Sequence, residues 1–512
     1  MLRTRLYALG WLLLAGAAHG LTAECRACET SGRFYQERDQ ALAWTGPANA
    51  QLLGDLLLAV RGAASHGLDP KDYHLEALEA ADPQVGDREI DELATDAYLT
   101  LAAHLLAGRL DPVSIEPNWT AARRGRDLSA YLQSALAQNG IADSLEALAP
   151  RQPGYQALRD ALAQYRTIAA EGGWPTIDDG DLIRPGDSGP RIAQLRARLA
   201  ATGHIAAESE NPELYDDALV DAVRGFQDRG SLDSDGVIGT ATLRQLNMSA
   251  EERVRQIEIN LERWRWLPED MGRRHILVNI ADYRLEAWND GRMERTHDVV
   301  VGQLFRRTPV FSGSMTYFVL NPWWETPHSL AIRDKLPAFR RDPSSVQRLG
   351  FQIIDRSGNL VDPDTIDWTQ VEASNFPYRL RQAPGPLNAL GEVKFIFPNR
   401  HNVYLHDTPT RGLFAQRRRN FSSGCIRVRD PLALAAWVAA ETPAWPSERI
   451  ESVAAGNTET RVSLAQGIPV HVLYATVVPD ESTGVRFLND IYGRDQAVRD
   501  AMDAPPPPLE IQ

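Results

Sequence analysis

The sequence predicts a multidomain α+β protein: an all-helical N-terminal region, a compact three-helix unit, and a β-rich C-terminal domain carrying a long insertion. Three observations carry that prediction. Apolar residues recur at helical spacing up to about residue 170, a stretch punctuated by Gly, Pro and Asp follows, and strand-type alternation takes over after about residue 250. The 512 residues suffice for two to four domains, and 43% hydrophobic against 24% charged residues is an ordinary globular balance. A net charge of −14 argues against nucleic acid as a partner, because phosphate polymers demand a basic surface.

Residues 1–23 read as a signal peptide or N-terminal anchor: Arg3 and Arg5 precede an apolar run from Leu6 to Ala18, with small residues at Ala18, Gly20 and Ala23. That run of 13 residues is short against the roughly 20 needed to span a bilayer, so export is the expectation and any membrane tether runs through the N-terminus alone. Residues 24–175 form the helical region, with Leu52, Leu53, Leu56, Leu57 and Val60 in one stripe and Ile90, Leu93, Ala97, Leu101 and Leu105 in another, stopping at Gly108. Asp69-Pro70 reads as a cap and first helical position, and His66, His74 and His104 as structural or solvated. Cys25 and Cys28 read as a local disulfide or as a pair without a role: the context lacks a βαβ unit for a redox motif, and zinc would need two further ligands at suitable spacing.

Residues 181–248 carry the stripes Ile192, Leu195, Leu199 and Leu219, Val223, Phe226, with Thr240 as the expected cap of a third helix bearing Leu243 and Leu246. Asp233 to Gly239 lacks the ligand series and terminal glutamate of a calcium loop. Residues 251–480 are strand-rich, opening with a hairpin around Asn289-Asp290-Gly291. Strands are expected at Val299–Val301, Met315–Leu320, Val393–Phe397, Arg461–Leu464 and Val470–Val478. Residues 322–390 interrupt them as a long irregular insertion, the length of a functional lid, in which Trp324 either lines a groove or simply packs. Residues 481–512 form a C-terminal extension and tail.

The chemistry gathers at Cys425 and His406. A thiol is a nucleophile only as thiolate, and Ser422-Ser423-Gly424 offers no bulk to bury the cysteine while leaving backbone N–H groups at Ser423 and Gly424, with that of Cys425, for a developing oxyanion. His406 closes the short apolar run Val403-Tyr404-Leu405, 19 residues upstream, so a strand–loop–strand arrangement would bring imidazole to sulfur. Alternation sets Arg427 on the side of Cys425 and turns Ile426 and Val428 to the core. A guanidinium there favours thiolate or holds a substrate carboxylate. His401 should face away. The residues alone support a Cys–His acyl-transfer site, set against the bland alternative of a buried cysteine and a packed histidine.

These segments resemble the catalytic signature of the L,D-transpeptidases of bacterial cell walls, with Ser423 standing where the family usually has a second histidine. The likeness to the large Gram-negative periplasmic members extends to Arg263-Trp264-Arg265-Trp266-Leu267-Pro268, Asn321-Pro322-Trp323-Trp324 and Gly385-Pro386-Leu387-Asn388-Ala389-Leu390-Gly391. Val223-Arg224-Gly225-Phe226-Gln227 with Asp235-Gly236-Val237-Ile238-Gly239 is similar to peptidoglycan-binding domains. The resemblance implies a helical scaffold domain, a peptidoglycan-binding domain and a catalytic domain whose insertion at 322–390 caps the site. It implies Cys425 as nucleophile, His406 as base, and Arg427, Tyr404 and Trp324 as substrate contacts, with no cofactor and no metal. The implied reaction joins two meso-diaminopimelate residues in 3-3 crosslinks between peptidoglycan stem peptides in the periplasm, and carbapenem-type beta-lactams are the implied covalent inhibitors. Transfer to water (an L,D-carboxypeptidase) and a non-catalytic peptidoglycan-binding scaffold are the alternatives.

Overall fold

The computed structural model describes residues 25–206 and 208–509, so the stretch 1–23, expected to be a signal peptide or N-terminal anchor, lies outside the described residues. The N-terminal helices include Cys28–Glu37, Ala50–Gly62, Arg88–Ala107, Leu128–Ala137 and Pro153–Ala170. Their apolar stripes meet in one core containing Phe34, Leu53, Leu56, Val60, Ala97, Leu101 and Leu158. Asp91 is buried at no net loss of hydrogen bonds: its carboxylate accepts from the N–H groups of Ala43, Trp44 and Thr45 and from the Tyr35 hydroxyl. Asp69 caps the turn that begins at Pro70. His66 and His104 are buried, the first bonded to Tyr155 and Glu146 and the second to Tyr73, and the sulfurs of Cys25 and Cys28 are joined.

The next unit packs helices Pro190–Ala200, Asp217–Arg229 and Thr240–Leu246 around Ile192, Leu195, Leu199, Leu219, Val223 and Leu246. Gly239, not Thr240, occupies the cap position of the third helix; Thr240 is its first residue and makes no capping bond. Asp235 organises the preceding turn by accepting from the Val237 N–H at 2.8 Å and from the Gln227 amide at 3.1 Å.

The helix Ala250–Arg265 starts in a capping box of Ser249 and Glu252 and ends between the helical region and the β-domain. There Glu262 and Arg265 are fully buried and paired at 2.6 Å. Glu262 also accepts from the Leu110 N–H and the Trp266 indole, while Arg265 donates to the His66 carbonyl and the Tyr155 hydroxyl. Gly108 lets this knot close: a Cβ there would lie 2.7 Å from Glu262 Oε1 and from Trp266 Cδ1.

Fifteen strands follow among the described residues. β1 (Arg274–Asn279), β2 (Arg284–Asn289), β3 (Arg292–Gly302) and β4 (Phe311–Leu320) precede the insertion; β5 (Trp324–Glu325), β6 (Phe351–Ile354), β7 (Leu360–Val361) and β8 (Arg379–Gln382) lie in it. Beyond it come β9 (Val393–Ile396), β10 (Leu405–His406), β11 (Asn420–Ser422), β12 (Ile426–Val428), β13 (Thr460–Leu473), β14 (Val477–Asp480) and β15 (Gly484–Phe487). The main sheet runs β11-β3-β12-β10-β9-β4-β13-β1-β2, and β2 pairs again with β3, closing it into a barrel. Its interior is filled by Ile276, Val278, Leu285, Val299, Val301, Met315, Phe318, Phe395, Leu405, Ile426, Val428 and Val470.

Two further expectations are corrected. The insertion is not irregular: it folds a four-stranded sheet, β5-β8-β6-β7, over its own core of Trp324, Leu336, Phe339, Val346, Phe351, Trp368 and Leu380. The strands expected at 461–464 and 470–478 are divided differently, because β13 runs unbroken from Thr460 to Leu473 with a register shift between Ser463 and Ile468, and β14 is separate. Among the described residues no helix is long and apolar enough to cross a membrane.

Candidate active site

The site lies on the outer face of three adjacent barrel strands. β10 pairs parallel with β12, Leu405 opposite Ile426 and His406 opposite Arg427, and antiparallel with β9, His406 opposite Lys394. Leu405, Phe395, Ile426 and Val428 are buried in the barrel. Alternation therefore turns Tyr404, His406, Cys425, Arg427 and Lys394 to the opposite face together. Tyr404 lies beside Cys425, since its carbonyl accepts from the Ile426 N–H at 3.1 Å. Cys425 and His406 are diagonal neighbours on this face across β12 and β10.

The turn presenting Cys425 is held from inside. Ser422 Oγ donates to the Cys425 carbonyl and accepts from the Gly424 N–H at 3.1 Å, so that N–H is engaged within the turn. Gly424 sits at φ +116°, a conformation a side chain would oppose. Its carbonyl accepts from Thr308 Oγ1 at 2.9 Å, and the same hydroxyl accepts from the Gly302 N–H. Ser423 is exposed, and Arg306 donates to its hydroxyl at 3.0 Å. Arg306 also forms a two-pronged pair with Asp334 of the insertion, both contacts at 2.6 Å, so the insertion is tied to the residue two places before the thiol.

His406 is buried, and its Nδ1 is bonded to the carbonyl of Asp407. A carbonyl only accepts, so Nδ1 carries the hydrogen and Nε2 presents a lone pair. Burial lowers the imidazole to about 3, with Arg427 and then Lys394 opposing its protonation and the Asp407 carbonyl supporting it. Cys425 is half-buried, its sulfur donating weakly to the Asn402 carbonyl at 3.8 Å. Burial pushes the thiol up, against the Tyr404 N–H and hydroxyl and the charges of Lys394 and Arg427, which favour the anion. Near neutral pH the resting pair is thus a thiol beside a neutral imidazole.

Asp407 anchors this strand end. Its Oδ2 accepts from the Glu392 N–H at 2.9 Å and from Arg411 at 3.2 Å. Gly391 at φ +60° packs against it so closely that a Cβ would stand 2.1 Å from Oδ2. Arg427 is half-buried with Nε unpartnered. Trp324 is buried in the insertion's core, with its indole beside the Tyr404 hydroxyl. The His401 ring packs against Phe311, their centroids 5.3 Å apart. A cleft of about 970 Å³ between the three-helix unit and the barrel, lined by Arg184, Gln245, Tyr283 and Asp495 among others, includes neither Cys425 nor His406.

Three residues beside the thiol were not singled out by sequence: Lys394, Arg306 and Asp407. Lys394 had a signal, a charge in the middle of the alternating run Val393-Lys394-Phe395-Ile396-Phe397. Arg306 reaches the site only through partners distant in sequence, whereas Asp407 adjoins His406 and serves it through a backbone carbonyl that any residue would supply.

Known proteins share these parts. Residues 273–451 match the L,D-transpeptidase catalytic domain, residues 188–246 a family described as "Putative peptidoglycan binding domain", and residues 30–162 the Scaffold domain. A protein of Haemophilus influenzae named "Putative L,D-transpeptidase" is 38% identical over 251 residues, 49% of this chain and 50% of that protein. An N-acetylmuramoyl-L-alanine amidase of Mycobacterium tuberculosis is 38% identical over 80 residues, 14% of this chain and 20% of its own. The chain thus spans about half the length of the first curated relative and a fifth of the second. Among solved structures, an L,D-transpeptidase from Mycobacterium smegmatis aligns with 39% of this chain and 58% of its own at 14% identity, with a TM-score of 0.19.

Proposed function

We propose, for a chain that carries the catalytic domain of the L,D-transpeptidase family beside a peptidoglycan-binding domain and a scaffold domain, that it crosslinks peptidoglycan through a Cys425 thioester. The observation that supports this reading is the shared face of Cys425, Tyr404, His406 and Arg427, with the Nε2 lone pair of His406 unengaged by its Nδ1–H bond. The donor is a tetrapeptide stem. The Cys425 sulfur attacks the carbonyl of the third residue at the L-centre of meso-diaminopimelate as its proton passes to His406 Nε2.

The backbone N–H of Cys425, with that of Ser423, faces the oxyanion, the Gly424 N–H being held by Ser422 Oγ. Collapse breaks the C–N bond, and the proton on His406 goes to the departing D-alanine amine. The side-chain amine of a second stem then attacks the thioester, its proton returns through His406 to sulfur, and a 3-3 crosslink leaves. Arg427 and Tyr404 contact the donor and Trp324 borders the groove under the insertion. Peptidoglycan as substrate sets the work outside the cytoplasm, in the periplasm, and carbapenem-type beta-lactams acylate the same sulfur.

The full chain incubated with a purified disaccharide tetrapeptide, followed by intact-mass spectrometry, tests this. The expected result is an adduct on Cys425 lacking D-alanine, crosslinked dimers in solution, and neither with Cys425→Ala. Free tripeptide without dimers would replace the transpeptidase by an L,D-carboxypeptidase. No adduct from stem or carbapenem would leave a non-catalytic scaffold.

A further inference from the structure

Lys394 is set where the barrel needs no charge. In β9, Val393 and Phe395 enter the core, and Lys394 shares the outer face with the thiol. The strand register makes one lateral row of ammonium, imidazole and guanidinium: Lys394 opposite His406, and His406 opposite Arg427. Lys394 Nζ stands 4.2 Å from the centroid of the Tyr404 ring, and Tyr404 is the strand neighbour of Cys425.

Burial works against charge on both cations. A half-buried cation is costly unless an anion faces it. For Lys394 the groups that favour its charge are Cys425 and Glu459; for Arg427 it is Cys425 alone. Among the remaining charges near the row only Glu459 supplies a further anion, and it favours the Lys394 ammonium less than the sulfur does. Asp334 is taken by Arg306, Asp407 accepts from Glu392 and Arg411, and Lys335 adds a further positive charge on the insertion side. Glu459 is bonded to the Trp323 N–H. The anion this row is built to face is the sulfur.

We propose that Lys394 is a positioning residue of this site, its half-buried ammonium compensating negative charge on the Cys425 sulfur across Tyr404 while repelling a proton from His406. The assignment rests on the Cys–His acyl-transfer reading above and extends it. The thiolate is favoured without a permanent imidazolium, and the imidazolium formed during attack is a stronger acid toward the departing amine. Lys394 thereby takes up charge compensation in a signature where Ser423 stands in place of a second histidine.

The two effects give a signature that loosening of the site cannot imitate. Loss of the ammonium raises the thiol and the imidazole together, whereas added water lowers the thiol and raises the imidazole. The experiment alkylates the full chain with iodoacetamide from pH 5 to 10 and follows Cys425 by intact mass, Cys25 and Cys28 being joined. Imidazole titration is followed by NMR. For Lys394→Met the alkylation inflection should move up by about one pH unit, slowing reaction near pH 7 about tenfold, with His406 moving up as well.

Lys394→Arg should restore the rate to within about threefold of wild type, since it keeps the charge. Lys394→Gln, polar but uncharged, gives the same readout should the methionine variant fail to fold. An inflection that stays put or moves down in both uncharged variants overturns the assignment. If the wild type takes no acyl group from a stem while the shift is present, the transpeptidase reading fails and Lys394 keeps its role. If stems acylate the wild type and the alkylation curves coincide, the Lys394 assignment alone fails.

Discussion

Gly391→Ala is the sharpest probe of how His406 is held. A Cβ at residue 391 would lie 2.1 Å from Asp407 Oδ2, 2.4 Å from its Cγ and 2.6 Å from its Cβ, in a backbone at φ +60°. Left-handed backbone costs an alanine about 1–2 kcal/mol. Overpacking adds about 1–3 kcal/mol. Losing the bond between the Asp407 carboxylate and the Glu392 N–H adds about 1.5–3 kcal/mol, against about 0.4–1 kcal/mol regained because alanine narrows the unfolded ensemble. The net loss is about 3–7 kcal/mol. Gly291→Ala is the control: φ is +74° with nothing within 4 Å of the added Cβ, so only the backbone cost applies.

Urea unfolding of the two variants isolates the overlap as the difference between them. Rates of Cys425 acylation by a carbapenem, read by intact mass, report on the imidazole, because Asp407 supplies the carbonyl bonded to His406 Nδ1. Gly391→Ala should acylate at least tenfold more slowly where it remains folded. If it matches Gly291→Ala in unfolding midpoint and in acylation, the Gly391–Asp407 contact does not fix the base.

Three further outcomes follow from the same coordinates. His406 and His471 are buried with folded pKa values of about 3 and about 4, below the ordinary value of about 6.5, through burial in each case. Unfolded chains bind the extra protons, so stability is full above about pH 6.5 and falls as pH drops toward 4, by at most about 1.4 kcal/mol per unit per histidine; a melting temperature flat from pH 7 to 4 would contradict this. Glu262→Gln should cost about 3–5 kcal/mol by stranding Arg265, and the double variant Glu262→Met/Arg265→Met should cost less, both measured by denaturation. Arg306→Met should shift stability by about 1 kcal/mol or less, because its pair with Asp334 is partly exposed, yet increase proteolytic cutting within residues 326–350, which limited digestion measures.

What the sequence disclosed and what it hid divide along physical lines. The face shared by Cys425, Arg427 and His406 was legible because strand alternation has a period of two, and an error of one residue would have buried the thiol. The folding of the insertion was not, because its strands are two to four residues long and paired across gaps such as that from Ile354 to Arg379. Barrel closure through β2 and β3 was hidden for a related reason: the hairpin was evident, but nothing local in Val299–Val301 announces that the same strand also pairs with β12. Thr240 read as a cap because its hydroxyl suits one; the backbone of Gly239 took the position instead.

The buried knot of Glu262 and Arg265 makes the barrel hard to detach. Arg265 spends its guanidinium on a carbonyl and a phenol that belong to the helical half, and Glu262 answers an amide from Leu110. Severing the chain ahead of the helix Ala250–Arg265, which carries the knot, would leave the N-terminal helices with an orphaned hydroxyl and amide, and would strip Trp119 from the indole of Trp266. Scaffold and barrel therefore stand or melt as partners, and a mutation far out among the helices can be felt at the strands that carry the thiol.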